Sequence, residues 1–203
     1  MPDPVSIPPL PAPLEWDVEP ASSSLGEGPL LTIAAPPRSD LFVDPAGSDP
    51  QDAAPRLLGP VESDFQLSAR VRSTFEGTFD AGALLLWAGA RTWAKLAFEV
   101  SPDGEPMVVS VITDGRASDD ANAFVVEDEA VWLRISRRGS ACALHARLDG
   151  DEGWRFVRHF ALDAPAAVRV GFSVQSPLGE GATARFDAIG FAPSGVADLR
   201  SGE

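Results

Sequence analysis

The chain has 203 residues, with 16 Lys+Arg against 30 Asp+Glu and a formal net charge of −14. This acidity argues against binding to nucleic acid or to an anionic membrane, both of which need clustered basic side chains. One cysteine and two histidines exclude a disulfide framework and a metal centre built from several such residues. With no long apolar run and no basic, apolar leader, the sequence predicts a soluble cytoplasmic protein.

The N-terminal third is rich in proline. Met1–Ala12 contains five prolines and predicts an extended arm (residues 1–12) whose removal costs little stability. Three short segments are strand-like: Leu14–Val18, Pro29–Ala34 and Leu41–Val43. The prolines of Ala35–Pro60 predict a long loop there.

After Asp64 the hydrophobic pattern has a period of two residues, which is typical of half-buried strands. The clearest such strands are Phe65–Arg72, Val131–Ser136, Cys142–Leu148 and Val168–Gln175. Turns rich in Gly and Asp separate them, and no segment has a capped helical period. The sequence therefore predicts an all-β protein, a single antiparallel β-sandwich or jelly roll over residues 13–192 with a C-terminal tail over 193–203.

One strand departs from this alternation. Gly82–Trp87 is apolar at every position. A strand of this kind is typically central in its sheet and covered on both faces. We therefore expect the sandwich core to cover one face, and a ligand or another part of the chain to cover the other.

The next strand contains the single lysine of the chain. Trp93, Lys95 and Glu99 share one face, while Ala94 and its alternate neighbours face the core. Lys95 and Glu99 lie about 13 Å apart along a strand, too far to pair directly. Two interpretations stay open: a ligand groove with an aromatic platform, or a structural network of cross-strand ion pairs.

Metal and catalytic sites are weakly indicated. Asp114, Asp119 and Asp120 make one loop rich in oxygen ligands, but they lack the spacing of a calcium loop, and Asx turns explain them as well. No cofactor is expected. Glu127–Glu129 is typical of a solvated turn, and no glucanase-type array of carboxylates accompanies Glu99. We therefore predict no catalytic residues.

A nucleophilic site is also not indicated. Cys142 is in phase with the apolar positions of its strand, which predicts a buried, unreactive thiol. The two histidines, His145 and His159, are expected on the surface of their strands. Neither is placed to act as a base for the cysteine.

Several separated motifs occur in the same order as in a known protein family. They are Phe79–Trp87, Thr92–Glu99, Val109–Thr113, Ser118–Asp120, Val131–Arg134 and Val170–Pro177. With these motifs the chain resembles the family of unknown function numbered 1349, some of whose fungal members are called "regulation of enolase protein". The resemblance implies the concanavalin A-like lectin/glucanase fold, two curved antiparallel sheets with one concave face.

Three functions compete at this point. The first is non-catalytic carbohydrate binding through Trp93, Lys95 and Glu99, with help from Trp87 and Trp132. The second is a protein-interaction or regulatory domain, with a homodimer through the sheet left open. The third is an uncharacterised glycoside hydrolase. The fold alone does not decide among them.

Overall fold

The structure, a computed structural model, describes residues 3–164 and 167–203. These residues form sixteen β-strands, and no helix occurs among them. All strand pairs are antiparallel, and fourteen strands form two seven-stranded sheets. Across this described part of the chain, nothing resembles a helix that could cross a membrane. The predicted antiparallel β-sandwich is confirmed.

The first sheet has the strand order β1-β6-β15-β8-β9-β10-β11. Its strands are β1 (Glu15–Val18), β6 (Arg56–Val61), β8 (Ala81–Gly89), β9 (Thr92–Val100), β10 (Pro106–Asp114), β11 (Ser118–Val125) and β15 (Val168–Gln175). The all-apolar segment Gly82–Trp87 belongs to β8, which lies at the centre of this sheet, as its pattern predicts.

The second sheet has the order β14-β13-β12-β7-β16-β3-β2. Its strands are β2 (Ser22–Leu25), β3 (Leu31–Ala35), β7 (Phe65–Ser73), β12 (Val131–Arg138), β13 (Ala141–Arg147), β14 (Arg155–Ala161) and β16 (Ala182–Ala192). A separate hairpin joins β4 (Leu41–Phe42) and β5 (Gln51–Asp52).

The main core lies between the two sheets. Strand β7 buries every second residue from Phe65 to Val71, because alternate side chains of a strand point to opposite faces. Leu96 and Phe98 of β9 meet this layer from the other sheet, and Cys142 is buried in it. The predicted phase of these strands is confirmed.

The proline-rich arm packs on the sandwich through Ile7, which gives a physical reason to expect that removing the arm costs more stability than the sequence pattern predicts. Ile7 is 3% exposed and belongs to the main core, while strand pairing in the described residues of the arm is limited to an isolated bridge between Val5 and Leu14. The arm lacks regular strands because proline removes backbone donors, yet one apolar side chain anchors it. Met1 and Pro2 lie outside the described residues.

Two segments expected as loops contain strands. The proline-rich stretch 35–60 includes most of β6, in which Pro60 is exposed while its neighbours in the strand are buried. The acidic segment 114–122 includes most of β11, the edge strand beside β10. Proline and acidic residues are depleted from strand interiors, so both segments were predicted as loops. These residue types are nevertheless tolerated in strands near a sheet edge or on a solvated face.

Candidate functional site

The outer face of the first sheet, which points away from the main core, is covered by the chain itself. Leu41 and Ala54, at the two ends of the β4–β5 hairpin region, pack on Leu85, Trp93 and Val111 and form a second apolar cluster. This covering explains why β8 is apolar on both faces. One part of the outer face stays polar, and it holds the candidate site.

Lys95, Gln175 and Glu99 form a chain of hydrogen bonds within this polar part. The Lys95 Nζ donates to Gln175 Oε1 at 2.6 Å and to the carbonyl of Leu41 at 3.1 Å. The Gln175 Nε2 donates to Glu99 Oε2 at 3.3 Å and to the carbonyl of Phe79 at 3.0 Å. One glutamine therefore links the two charged side chains that the sequence places too far apart to pair.

The strand register explains why these side chains meet. Ala81 of β8 pairs with Glu99 on one side and with Gln175 on the other. Ala83 and Ala97 pair with each other two residues further along. Because these alanines are small, the longer polar side chains on the flanking strands can extend across β8.

Both charged groups are deeply shielded, which agrees with the cover expected over the second face of the neighbouring strand β8. Lys95 is 2% exposed and Glu99 is 9% exposed. Burial raises the pKa of Glu99 to about 7, and the Lys95 charge opposes part of that rise. The carboxylates of Asp40 and Asp120 raise this pKa further. Glu99 therefore exchanges its proton near neutral pH.

These groups line a cavity of about 170 Å³ that opens to solvent. Its lining consists of Asp40, Phe42, Phe79, Lys95, Glu99, Val109, Val111, Asp120, Gln175 and Pro177. Three carboxyl groups, one ammonium group and one amide thus surround a space that also has aromatic and aliphatic walls. Such a mixture of apolar surface and few polar groups is typical of small-molecule sites.

Phe79 is held in an unusual backbone conformation at the cavity wall. Its φ is 67°, in the left-handed region that bulky residues rarely adopt. Its N–H donates to the carbonyl of Val100 at 2.9 Å, and its own carbonyl accepts from Gln175. Residues held in this way cluster at binding sites, where the surrounding structure fixes them.

Of the three candidate tryptophans, none lines the cavity. Trp93 is fully buried under the β4–β5 hairpin region, so it cannot present a ring face to a sugar. Trp87 is also buried, with the Arg56 guanidinium 4.4 Å from the ring centroid. Trp132 lies in the second sheet, where its Nε1 donates to Asp149 at 3.0 Å. The expected aromatic platform is corrected: Phe42 and Phe79 are the aromatic rings at the cavity.

The weak metal candidates are dispersed. Asp119 forms an ion pair with Arg158 at 2.7 Å, whereas its neighbour Asp120 lines the cavity, because adjacent residues of β11 face opposite ways. Asp114 is exposed at the end of β10. Within residues 3–164 and 167–203, no group of three His, Cys, Asp or Glu side chains could hold a metal ion.

Sequence reasoning missed four contributors to the site: Asp40, Phe42, Phe79 and Gln175. Asp40 and Phe42 come from the proline-rich segment, whose path over the sheet depends on tertiary packing. Gln175 could have been found, because it ends a strongly alternating strand on the same face as Gly171 and Ser173. The expected surface position of His145 is also wrong, since that side chain is fully buried.

The fold and the cavity define a concanavalin A-like β-sandwich with a small polar site on the outer face of one sheet. The chain belongs to the family described as "Protein of unknown function (DUF1349)", whose sequence profile matches residues 16–194. The resemblance noted from the motifs is thereby confirmed.

Two yeast matches and a bacterial enzyme are similar to this chain. "Regulation of enolase protein 1" of Saccharomyces cerevisiae is 22% identical over 128 residues, which cover 63% of this chain and 64% of that protein. A crystal structure of a functionally unknown protein from Saccharomyces cerevisiae has a TM-score of 0.81 at 22% identity and covers 89% of this chain and 96% of the other. Xylan β-1,4-xylosidase from Bacillus halodurans has a TM-score of 0.69 at 16% identity, and the match covers 87% of this chain but 36% of the xylosidase.

Proposed function

We propose that the cavity binds a small polyhydroxylated ligand, one sugar unit in size, without catalysing its hydrolysis. The observation that carries this proposal is the Lys95–Gln175–Glu99 chain on the floor of an open cavity of about 170 Å³. Lys95 has three N–H donors and uses two of them. A carboxylate or carboxylic acid at Glu99 and an exposed carboxylate at Asp120 supply the acceptors for ligand hydroxyl groups.

The cavity walls also favour a ring-shaped ligand. The rings of Phe42 and Phe79 and the side chains of Val109 and Val111 provide apolar surface beside the polar floor. A sugar ring has apolar C–H faces and polar edges, and this combination suits it to a site of mixed character. The similar fold within the xylosidase of Bacillus halodurans makes D-xylose a reasonable first probe.

The test is a glycan array followed by calorimetric titration of each retained monosaccharide. Phe42→Ala and Asp120→Asn alter the cavity at a half-buried and an exposed position, so the fold should remain intact. We expect either change to weaken binding at least tenfold. The matched controls are Phe156→Ala and Asp128→Asn, which alter exposed residues away from the cavity. Equal binding by all four variants would refute the proposal.

A protein partner is the second candidate function. The name of the yeast relative suggests a regulatory role for that protein. In this chain Leu178 is 69% exposed and directly follows the cavity residue Pro177. A partner that inserts beside Leu178 would also close the cavity. Light scattering after size-exclusion chromatography, with Leu178→Ser as the variant, distinguishes self-association through this residue from ligand binding alone.

A further inference from the structure

A second group of buried polar side chains lies on the outer face of the second sheet, away from the cavity. Arg134 of β12 pairs in register with His145 of β13. Arg134 is 6% exposed and His145 is fully buried. We call these two residues together with Arg147 the basic cluster.

Two tryptophans hold the arginines of the basic cluster in place. The Arg134 guanidinium lies 4.2 Å from the ring centroid of Trp154, and the Arg147 guanidinium lies 5.1 Å from the same ring. Arg147 also lies 4.8 Å from the ring of Trp132. A guanidinium stacked on an aromatic face keeps its N–H groups available in its own plane, which suits it to bind an oxyanion.

The positive charge of the basic cluster at neutral pH comes from its two arginines, because burial and the Arg134 charge lower the pKa of His145 to about 4. Among the described residues, no carboxylate forms an ion pair with Arg134 or Arg147, although the chain as a whole carries a net charge of −14. Asp151 interacts with Arg147 at longer range, but it is ion-paired to Arg155 at 2.8 Å. Burial and the Arg147 charge lower the pKa of Arg134 to about 10. Arg134 is therefore a buried charge whose neighbours are a backbone carbonyl and an aromatic ring rather than a carboxylate, and such a charge is costly to retain.

Several polar atoms at this site also lack hydrogen-bond partners. In the part of the chain that the structure describes, these are Arg134 Nε and both ring nitrogens of His145. Ser136 Oγ, two residues along the same face of β12, is unpartnered as well. Each of these atoms can donate a hydrogen bond in one of its protonation or rotamer states. The acceptors beside this set of donors are backbone groups: the carbonyl of Gly202 accepts from Arg134 at 2.6 Å, and the backbone of Leu199 and Arg200 interacts with His145.

The C-terminal residues 196–203, which we call the strap, cover the basic cluster. Arg134 Nη2 donates to the carbonyl of Gly202 at 2.6 Å, and Arg138 Nη1 donates to the carbonyl of Ala197 at 2.8 Å. The Asp198 carboxylate of the strap acts on His145 electrostatically. The strap thus offers oxygen atoms and one negative charge at the places where an oxyanion would bind.

The fit of the strap depends on a glycine. A Cβ atom on Gly202 would lie 2.4 Å from Arg134 Nη2 and 3.0 Å from His145 Nε2. The φ of Gly202 is 81°, a value that residues with a side chain rarely adopt. The family match ends at residue 194, before the strap begins. The cover over the basic cluster therefore lies outside the part of the chain that matches the family.

We propose that the basic cluster is a binding site for a phosphate or sulfate group, and that the strap is a detachable cover that competes with this ligand. The carbonyl of Gly202 occupies the position of one ligand oxygen. Release of the strap exposes Arg134 and His145, which then bind the oxyanion together with Arg147. This site is separate from the cavity on the first sheet.

The experiment compares the full chain with Gly202→Ala, which should displace the strap without altering the sandwich. Hydrogen–deuterium exchange of residues 196–203 reports displacement, and calorimetric titration with pyrophosphate reports binding. We expect Gly202→Ala to exchange faster in the strap and to bind pyrophosphate at least tenfold more tightly than the unmodified chain. Parallel titrations with inorganic phosphate and sulfate distinguish the two kinds of oxyanion.

Two further variants assign the binding to the basic cluster. Both are made in the Gly202→Ala background. Arg134→Gln should abolish the gain in pyrophosphate affinity. Arg116→Gln, which removes the same charge from an exposed turn, should retain that gain. The proposal is overturned if the strap is released but pyrophosphate binds no more tightly. It is also overturned if the strap stays protected in Gly202→Ala, or if Arg116→Gln abolishes binding as Arg134→Gln does.

Discussion

Replacing Glu99 with glutamine should stabilise the protein at high pH and have a much smaller effect at low pH. Burial raises the pKa of Glu99 from its usual 4.5 to about 7. Below pH 4.5 the carboxyl group is protonated in both the folded and the unfolded chain. Between pH 4.5 and 7 the unfolded chain releases this proton while the folded chain keeps it, so the free energy of unfolding falls as the pH rises.

Above about pH 7 the free energy of unfolding has fallen by its full amount, and the size of this fall follows from the change in the pKa of Glu99. Raising the pKa from 4.5 to about 7 corresponds to a loss of about 3 kcal/mol. Glu99→Gln carries no titrating group at this position, yet its amide oxygen can still accept from Gln175. Relative to that of the unmodified chain, the free energy of unfolding of the variant should therefore rise by about 3 kcal/mol between pH 4 and pH 8.

Urea unfolding of both proteins at pH 4, 5, 6, 7 and 8 measures this difference, and other titrating groups cancel because both proteins share them. Glu62→Gln, at an exposed position, is the matched control and should change stability by no more than about 0.5 kcal/mol at each pH. A difference for Glu99→Gln that does not vary with pH would refute the proposed shielding of this carboxyl group.

Three other changes test the packing around the site and in the core. Ile7→Ala should lower the free energy of unfolding by about 2–4 kcal/mol, because Ile7 is buried in the main core, whereas Leu25→Ala at an exposed position should cost at most about 0.5 kcal/mol in the same urea titration. Lys95→Met should lower the free energy of unfolding by about 2–4 kcal/mol, because Gln175 and the carbonyl of Leu41 lose their hydrogen-bond donor. An unchanged midpoint in thermal or urea unfolding would show that Lys95 is not part of a structural network. The Cys142 thiol, whose pKa burial raises to about 11, should react with a thiol reagent only on unfolding, and rapid labelling of the native chain would contradict its buried position.

The strands of the sandwich follow from local pattern, and this explains what could be predicted from the sequence. In β7 and β15 the alternation of apolar and polar residues identifies the core face without any knowledge of neighbouring strands. The apolar run of β8 also predicts a cover on its second face. That cover proves to be the β4–β5 hairpin region, whose own sequence has no pattern that reveals where it packs.

Only some residues of the candidate site could be predicted from the sequence, because the site depends on the order of the strands in the sheet. Lys95 and Glu99 stand out as charged residues on a shielded strand, and both line the cavity. Gln175 joins them because β15 lies beside β8, although Gln175 is 76 residues from Glu99 in the chain. The tryptophans were misleading for a related reason: Trp93 has the right phase, but the chain itself covers it.

The most direct test of sugar binding in the cavity is a nuclear magnetic resonance titration of the ¹⁵N-labelled chain with D-xylose. If the cavity is the ligand site, amide signals should shift in a saturable way at Asp40, Phe42, Phe79, Lys95, Glu99 and Gln175, and these shifts should disappear in Phe42→Ala. The basic cluster on the second sheet should show no shift with this neutral probe. Saturable shifts confined to residues outside the cavity, or no saturable shift with xylose or with any sugar retained on the glycan array, would contradict the proposed function.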